Sequence, residues 1–309
     1  MFDYSKSNFG KYKRYTLQNT RTKTGFSVVP GRGATLLDLH FGGQNILDGY
    51  TQPEELDTMD WMKNVILFPF PNRLNSGRYM WAGKPHDFPA NDRATGNALH
   101  GFGAWQKFTV TRLLLTEVAA EITCRCFDAG KNPGYPFPTT LEVTFGISDS
   151  HRFRVEFSVQ NRHTDFIPVG LGWHPYFRLV PEVGRTALRM PDCEQVHINE
   201  RMLPTGQRTD FNSYKTSTGI GDSFLDNCFK IKKLDSIYRA SIFGGGQKLT
   251  LVANAKLWPF LQVFTPPART SIALEPMSCN IDAFNNQEGL IKLPPGGEWR
   301  GGFFLEHSA

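Results

Sequence analysis

Alternation of apolar and polar residues with a period of two is the feature that most limits what this chain can fold into. In "HRFRVEFSVQ", residues 151–160, every second residue from Phe153 to Val159 is apolar, and the residues between are charged or polar. The preceding "TTLEVTFGIS", residues 139–148, repeats the pattern, and "SDSH" between the two supplies a turn. Period two is the periodicity of a β-strand. These two runs therefore predict a β-hairpin.

Short strand-like runs of this kind recur along the whole chain. They include "FTVTRLLLTE", "AEITCRCF", "YRASIFG", "KLTLVAN" and "FFLEH", and Gly- and Pro-rich stretches such as "DAGKNPGYPFP" separate them. The best helical candidate is short, at residues 56–65. We therefore expect an all-β fold, a large antiparallel β-sandwich with very little helix. The chain shows no linker or low-complexity segment, which favours a single domain over residues 1–309.

Charge and cysteine content narrow the class of protein. The net charge is +5, and the basic residues are dispersed without a helix-turn-helix or zinc-finger pattern, so we expect no nucleic-acid partner. Five cysteines without a framework spacing favour reduced thiols and a cytoplasmic setting. No apolar run reaches membrane-spanning length, and residues 1–19 lack the apolar core of a signal peptide. A cytoplasmic protein without a membrane partner is the expectation.

Several polar side chains stand where a sandwich core does not need them, at the ends of apolar strands or in Gly-rich turns. One of them alone is more often a hydrogen-bonded core residue or a strand cap. Burying all of them unpaired would be costly, so we expect them to converge on one another or on a ligand. The residues are Asn72, Arg73, His100, His174, Asp226 and Glu275.

The chemistry of this set points to a small polar ligand. A carboxylate facing an imidazole can take and give protons near neutral pH. Arg and Asp side chains offer donors and acceptors to hydroxyl groups, nearby Gly residues allow close approach, and nearby aromatic rings offer a flat apolar face. A sugar satisfies all of these features.

Five ordered motifs carry a resemblance to a known family. They are "NRL…GRY…G" at 72–83, "LHGF" at 99–102, "WHPYF" at 173–177, "LDNCF" at 225–229 and "LEP…DAFN" at 274–285. With them, and with the closing "LPPGGEWRGGFFLEH", the chain resembles the aldose 1-epimerases (galactose mutarotases) over nearly its whole length. The resemblance implies a large β-sandwich with an open groove, a sugar substrate, and no cofactor or metal.

The resemblance also implies roles for individual residues. Glu275 would be the general base that removes the proton of the anomeric hydroxyl, and His174 the general acid that protonates the ring oxygen. We expect the two to work as a carboxylate and an imidazolium, whose attraction widens the pH range of the working form. The expected substrate-binding residues are Arg73, His100, Asp226, Asn72 and Trp173.

Three questions stay open at this level. The family includes enzymes that epimerise hexose 6-phosphates, for which Arg78, Lys84 and Arg93 are candidate phosphate ligands, and a carbohydrate-binding protein without turnover is a further alternative. The chain could be a monomer or a homodimer. An aromatic contact to the sugar is expected from one of four residues, Phe102, Trp105, Trp173 or Tyr176.

Overall fold

The protein is built almost entirely from antiparallel β-strands. A computed structural model describes residues 1–309 and places 52% of them in strands and 6% in helices. Every ladder between two strands is antiparallel. The prediction of an all-β antiparallel fold with very little helix is confirmed.

The strands are numbered here in chain order. In the N-terminal half they are β1 Asp3–Phe9, β2 Tyr12–Asn19, β3 Thr24–Val29, β4 Thr35–Phe41, β5 Gln44–Asn45, β6 Ile66–Leu67, β7 Arg73–Leu74, β8 Arg78–Trp81, β9 Lys84–Asp87, β10 Ala98–Leu99, β11 Thr109–Leu115, β12 Ala119–Asp128, β13 Thr139–Ser148 and β14 Arg152–Asn161. In the C-terminal half they are β15 Ile167–Val169, β16 Gly172–Trp173, β17 Tyr176–Phe177, β18 Ala187–Arg189, β19 Cys193–Ile198, β20 Pro204–Phe211, β21 Thr218–Gly219, β22 Asp226–Ile231, β23 Ile237–Gly244, β24 Gln247–Asn254, β25 Phe260–Phe264, β26 Ile272–Met277, β27 Ile291–Leu293 and β28 Glu298–Ser308.

Helical structure is limited to short turns. The region predicted as the best helical candidate, 56–65, forms only part of a helix, because Met59 adopts a left-handed conformation that ends it. Trp61, which follows, is also left-handed, with φ 62°. The helices are α1 Glu55–Thr58 and α2 Ala283–Asn286, and the 3₁₀ turns are Asp60–Met62, Asn75–Gly77, Gly103–Trp105 and Val183–Arg185.

A nine-stranded sheet forms one layer of the sandwich, in the order β11-β12-β13-β14-β28-β24-β23-β18-β21. It contains the predicted hairpin, in which β13 pairs with β14 through a register that sets Phe145 opposite Val155. The turn of this hairpin closes with a hydrogen bond from the His151 N–H to the Ser148 carbonyl. The alternating apolar residues of β14 are buried, as the sequence pattern predicts.

An eight-stranded sheet forms the opposing layer, in the order β20-β19-β22-β25-β26-β16-β6, with β17 also pairing β26. Aromatic rings join the two layers: Trp173 of β16 stacks on Phe303 of β28, with ring centroids 5.9 Å apart, and Phe153 lies 6.2 Å away. A further sheet of five strands, β1 to β5, packs through Phe26 against Phe153. The hydrophobic core therefore fills the space between the sheets.

The five cysteines are free thiols, and all are buried. Cys124 and Cys126 point to the same, inner face of β12, as their spacing predicts. Burial raises the pKa of Cys124 to about 12 and that of Cys126 to about 11. Neither helix has the length and apolar character that crossing a bilayer requires.

Candidate active site

Six of the seven side chains expected from the sequence to form the site line one cavity of about 280 Å³. The cavity opens at one face of the eight-stranded sheet, and its wall combines charged, amide and aromatic groups. The six predicted residues are Asn72, Arg73, His100, His174, Asp226 and Glu275, and the remaining lining residues are Trp61, Met62, Leu99, Tyr176, Gln262 and Phe264.

Strand register explains why residues distant in sequence meet here. Gln262 of β25 lies directly opposite Glu275 of β26, and Phe264 lies opposite both Asp226 of β22 and Ala273. Residues directly opposite each other on an antiparallel ladder share one face of the sheet. The three polar side chains therefore form a patch on one face, and the short loop between β16 and β17 adds His174 to it.

The His174–Glu275 pair lies at the buried end of the cavity. The distance from His174 Nε2 to Glu275 Oε1 is 3.4 Å, and both side chains are almost fully buried. The imidazole stacks on the ring of Tyr176, with centroids 5.0 Å apart, and the backbone N–H of His174 donates to the Val65 carbonyl. His174 Nδ1 and Glu275 Oε2 have no hydrogen-bond partner within the protein. The pair therefore contains two buried polar atoms without partners, an arrangement that is rare in a core that serves only for packing.

Burial acts on the two partners in opposite directions. It lowers the pKa of His174 to about 3. It raises the pKa of Glu275 well above the usual range; the neighbouring Asp226 adds to that rise, and Arg73 opposes it. The expectation that mutual attraction would stabilise the carboxylate–imidazolium form is therefore wrong for the protein by itself. Loss of hydration favours the neutral form of each group and outweighs their attraction.

His100 is held as a neutral hydrogen-bond donor. Its Nδ1 accepts a hydrogen bond of 3.1 Å from the backbone N–H of Asn72, so the ring proton belongs on Nε2. In return, the backbone N–H of His100 donates to the Asn72 carbonyl. Both residues have a left-handed backbone conformation, with φ near 60°. Burial lowers the pKa of His100 well below its usual value, and His174 and Arg73 act in the same direction.

The turn that carries His100 depends on the glycine of the "LHGF" motif. Gly101 has φ 64°, and a side-chain carbon at this position would lie 2.3 Å from the Phe68 carbonyl oxygen. Only glycine meets both conditions without moving the backbone. Gly170, in the segment leading to His174, is required for a different reason, since a side-chain carbon there would lie 2.6 Å from Cys279 Sγ.

Arg73 is the only cation that lines the cavity. Its Nε donates to Asp92 Oδ2 at 2.8 Å in a pair whose side chains are 16% and 11% exposed. The guanidinium also contacts Asn72 Oδ1. Asp92 was not expected from the sequence to belong to the site, because it lies 19 residues from Arg73 in an exposed-looking turn.

Asp226 is oriented by an amide chain. Gln262 Nε2 donates to Asp226 Oδ1 at 2.7 Å, and Gln262 Oε1 accepts from Asn72 Nδ2 at 3.2 Å. Burial raises the pKa of Asp226, and the charge of Arg73 counteracts this effect. Gln262 was missed at the sequence level, although it is the one polar residue inside the apolar run "FLQVF".

The aromatic part of the wall differs from the expectation. Trp173 has no exposed surface and donates its indole N–H to the Asn64 carbonyl, so the prediction that it binds the substrate is wrong. Phe102 and Trp105 do not line the cavity either, whereas Tyr176 does. The rings that the sequence did not identify are Trp61, which is 54% exposed, and Phe264, stacked against it with centroids 6.2 Å apart.

The three basic residues considered as phosphate ligands lie outside the cavity wall. Arg78 is exposed and pairs with Asp87 at 3.5 Å, and Lys84 and Arg93 are exposed. The wall itself contains one cation, Arg73, and two carboxyl groups. No cluster of three or more His, Cys, Asp or Glu side chains could hold a metal ion. The arrangement can bind hydroxyl groups and transfer protons.

Comparison with known proteins gives a consistent result. A family model described as aldose 1-epimerase matches residues 13–304. The uncharacterized protein YihR of Escherichia coli is 28% identical over 272 residues, which are 85% of this chain and 84% of that protein. Among solved structures, a galactose mutarotase-like protein from Clostridium acetobutylicum superposes with a TM-score of 0.87 at 18% identity, covering 100% of this chain and 98% of that one. Galactose 1-epimerase from Lactobacillus acidophilus gives 0.84 at 17% identity, with the same coverage.

Proposed function

This chain belongs to the aldose 1-epimerase family of isomerases, and we propose that its cavity interconverts the α and β anomers of a neutral hexose by acid–base catalysis. Glu275 is the general base, His174 the general acid, and the remaining polar wall residues bind the sugar. The observation that carries this proposal is the facing pair of Glu275 and His174, whose Oε1 and Nε2 atoms are 3.4 Å apart in the wall of a cavity lined by polar side chains.

The reaction needs two proton transfers in each direction. The Glu275 carboxylate takes the proton of the anomeric hydroxyl while the His174 imidazolium gives a proton to the ring oxygen. The bond between the anomeric carbon and the ring oxygen breaks, and its electron pair goes to that oxygen. The free aldehyde forms, rotates about the bond to the next carbon, and closes on its other face with both transfers reversed.

Substrate binding favours the carboxylate–imidazolium form of the pair. The neutral pair and the carboxylate–imidazolium pair contain the same number of protons and differ only by one transfer between His174 and Glu275. A bound sugar donates its anomeric hydroxyl to the carboxylate and accepts at its ring oxygen from the imidazolium. Such charge-assisted hydrogen bonds are worth about 1.5–3 kcal/mol each, which favours the reactive form when the sugar is present.

A neutral aldose suits the cavity better than a hexose 6-phosphate. A phosphate group would bring a charge of about −2 toward a wall that already contains Asp226 and Glu275. The single cation, Arg73, already pairs with Asp92. No second Lys or Arg lines the cavity to compensate.

The apolar face of the sugar ring is proposed to pack on Trp61 and Phe264. Both rings line the cavity, and more than half of the Trp61 side chain is exposed at its mouth. Aromatic surfaces of this kind bury C–H groups at low entropic cost. Tyr176 is already covered by His174, so we assign it to positioning the imidazole.

The cellular setting also belongs to the proposal. Five buried free thiols are compatible with a reducing compartment, and we propose a cytoplasmic location. We expect no nucleic-acid partner, no membrane partner and no metal or cofactor, with the protein acting as a monomer or homodimer.

Polarimetry of freshly dissolved α-anomers, each with and without a 6-phosphate, tests the function. We expect accelerated mutarotation of at least one neutral hexose, and Glu275→Gln should reduce turnover by about 100-fold or more with little loss of binding. Glu142→Gln is the matched control, since Glu142 pairs with Arg125 on the outer face of the nine-stranded sheet. Near-normal turnover of Glu275→Gln would mean that another residue is the base. Faster turnover of the 6-phosphate would reject the neutral substrate, and sugar binding without turnover would indicate a carbohydrate-binding protein.

A further inference from the structure

We propose that Asp92 is a positioning residue for this reaction, that it fixes the guanidinium of Arg73 in the cavity wall, and that Arg201 locks the loop that carries Asp92. This inference rests on the proposed function of the cavity. It concerns two residues that do not line the cavity.

Asp92 is held from two sides. Its Oδ2 accepts from Arg73 Nε at 2.8 Å and from Thr95 Oγ1 at 2.6 Å. Thr95 Oγ1 in turn accepts from Asn97 Nδ2 at 3.0 Å, and the Asp92 N–H donates to the Asn97 carbonyl. The Asp92 carboxylate therefore has a fixed orientation. Through its hydrogen bond to Nε it restricts the rotation of the Arg73 side chain, which would otherwise have several rotamers.

Arg201 connects this loop to the segment that follows Arg73. Its guanidinium donates to the Thr95 carbonyl at 3.1 Å, to Asn97 Oδ1 at 2.8 Å and to Asn75 Oδ1 at 3.0 Å, and it also reaches Ser76. The Arg201 carbonyl accepts from Asn97 Nδ2. We call the connected set Arg201, Asn97, Thr95, Asp92 and Arg73 the arginine relay. It runs without a gap from the exposed Arg201 to the cavity wall.

The relay has an electrostatic consequence as well as a mechanical one. The titratable groups on the cavity side are Asp226, Glu275, His100 and His174, and the Arg73 charge lowers the pKa of both carboxyl groups. Asp92 offsets that charge, and it acts to raise the pKa of Asp226. Removing the Asp92 charge would leave Arg73 uncompensated, and its positive charge would disfavour protonation of the nearby His174–Glu275 pair, so the pair would take up a proton only at lower pH.

The test compares Asp92→Asn with Asp87→Asn, which removes an exposed carboxylate paired with Arg78 outside the cavity. For Asp92→Asn we expect a KM increase of about tenfold and a shift of the acid limb of kcat/KM to lower pH by roughly half a unit or more. Asp87→Asn should change neither. A role confined to folding would not move the acid limb, and Asp92→Glu should show a smaller KM increase than Asp92→Asn.

A second variant separates the positioning of Arg73 from the charge effect of Asp92. It also keeps the proposal testable if Asp92→Asn does not fold. Arg201→Met removes the hydrogen bonds that the Arg201 guanidinium donates but leaves the Asp92–Arg73 pair and the Asp92 charge, so KM should rise about threefold while the acid limb stays in place. The electrostatic role of Asp92 is rejected if Asp92→Asn leaves the acid limb unshifted or if Asp87→Asn shifts it equally. The proposal that Arg201 locks the loop is rejected if Arg201→Met leaves KM unchanged.

Tryptophan fluorescence separates failure of this inference from failure of the proposed function. Trp61 lies at the cavity mouth, so sugar affinity can be measured by quenching without turnover. A wild-type protein that binds a sugar but does not epimerise it rejects the catalytic proposal only, since weaker binding in Asp92→Asn still supports the relay. Unchanged affinity in that variant rejects the relay.

Discussion

Replacing His174 by Asn should make the protein less sensitive to acid, because it removes a buried group that resists protonation. Burial lowers the pKa of His174 from the usual 6.5 to about 3. The unfolded chain therefore binds a proton at this residue between those two values, and the native protein does not. Native stability falls as the pH decreases through that interval.

The size of the effect follows from the shift. Each pH unit in the interval costs about 1.4 kcal/mol, so acidification from pH 6.5 to pH 5 should remove about 2 kcal/mol of stability through His174. This is a large part of the 5–15 kcal/mol that is typical of folded domains. The His174→Asn variant lacks this term, while the contributions of titratable groups outside the cavity remain in both proteins.

Urea unfolding at pH 7.5, 6.5, 5.5 and 5 gives the measurement. The difference between the pH dependence of the wild type and that of His174→Asn should reach about 2 kcal/mol at pH 5. His197→Asn, at the surface beside Thr209, is the control and should follow the wild type. Parallel curves would contradict the burial argument. A wild type that loses less stability in acid than His174→Asn would show that the imidazolium is already paired with Glu275 without a sugar.

Four further predictions concern the catalysed reaction. The pH dependence of kcat/KM should be bell-shaped, with limbs that belong to the His174–Glu275 pair rather than to one residue, and His174→Asn should reduce turnover by about 100-fold or more and flatten the alkaline limb. Asp226→Ala should raise KM by roughly tenfold and change kcat less, since it removes a hydroxyl contact. Trp61→Leu should weaken sugar binding about fivefold or more, and Trp105→Leu, which lies outside the cavity, should not. A chelator should leave turnover unchanged; loss that a divalent ion restores would contradict the metal-free proposal.

The sequence predicted the strands and most of the cavity because both depend on local signals. Period two identifies strands such as β14 without knowledge of their partners. Polar residues such as Glu275 and His174 stand out against apolar neighbours, although Glu275 lies inside β26 and not at the strand end that the sequence predicts. The single-domain assignment stays a prediction.

What the sequence did not reveal depends on long-range pairing and burial. Gln262 joins the site because the ladder sets it opposite Glu275, and Asp92 joins it through a contact with Arg73 across a turn. Trp61 lies in a segment that was interpreted as helical, and its left-handed backbone is not encoded by a glycine. The protonation preference of the His174–Glu275 pair required the depth of burial, which no motif reports.

The buried thiols can serve as internal probes of local unfolding in this protein. A thiol reagent attacks the thiolate, so five neutral, enclosed cysteines should be silent in the native state and label only when the surrounding structure separates. Their locations divide the molecule: Cys124 and Cys126 report on the nine-stranded sheet, Cys193 and Cys228 on the eight-stranded sheet, and Cys279 on the segment just after β26. Pulsed alkylation with peptide mapping would therefore measure the rate of local opening of each sheet in the unmodified chain. A sugar that occupies the cavity should slow the labelling of Cys228 and Cys279 more than that of Cys124.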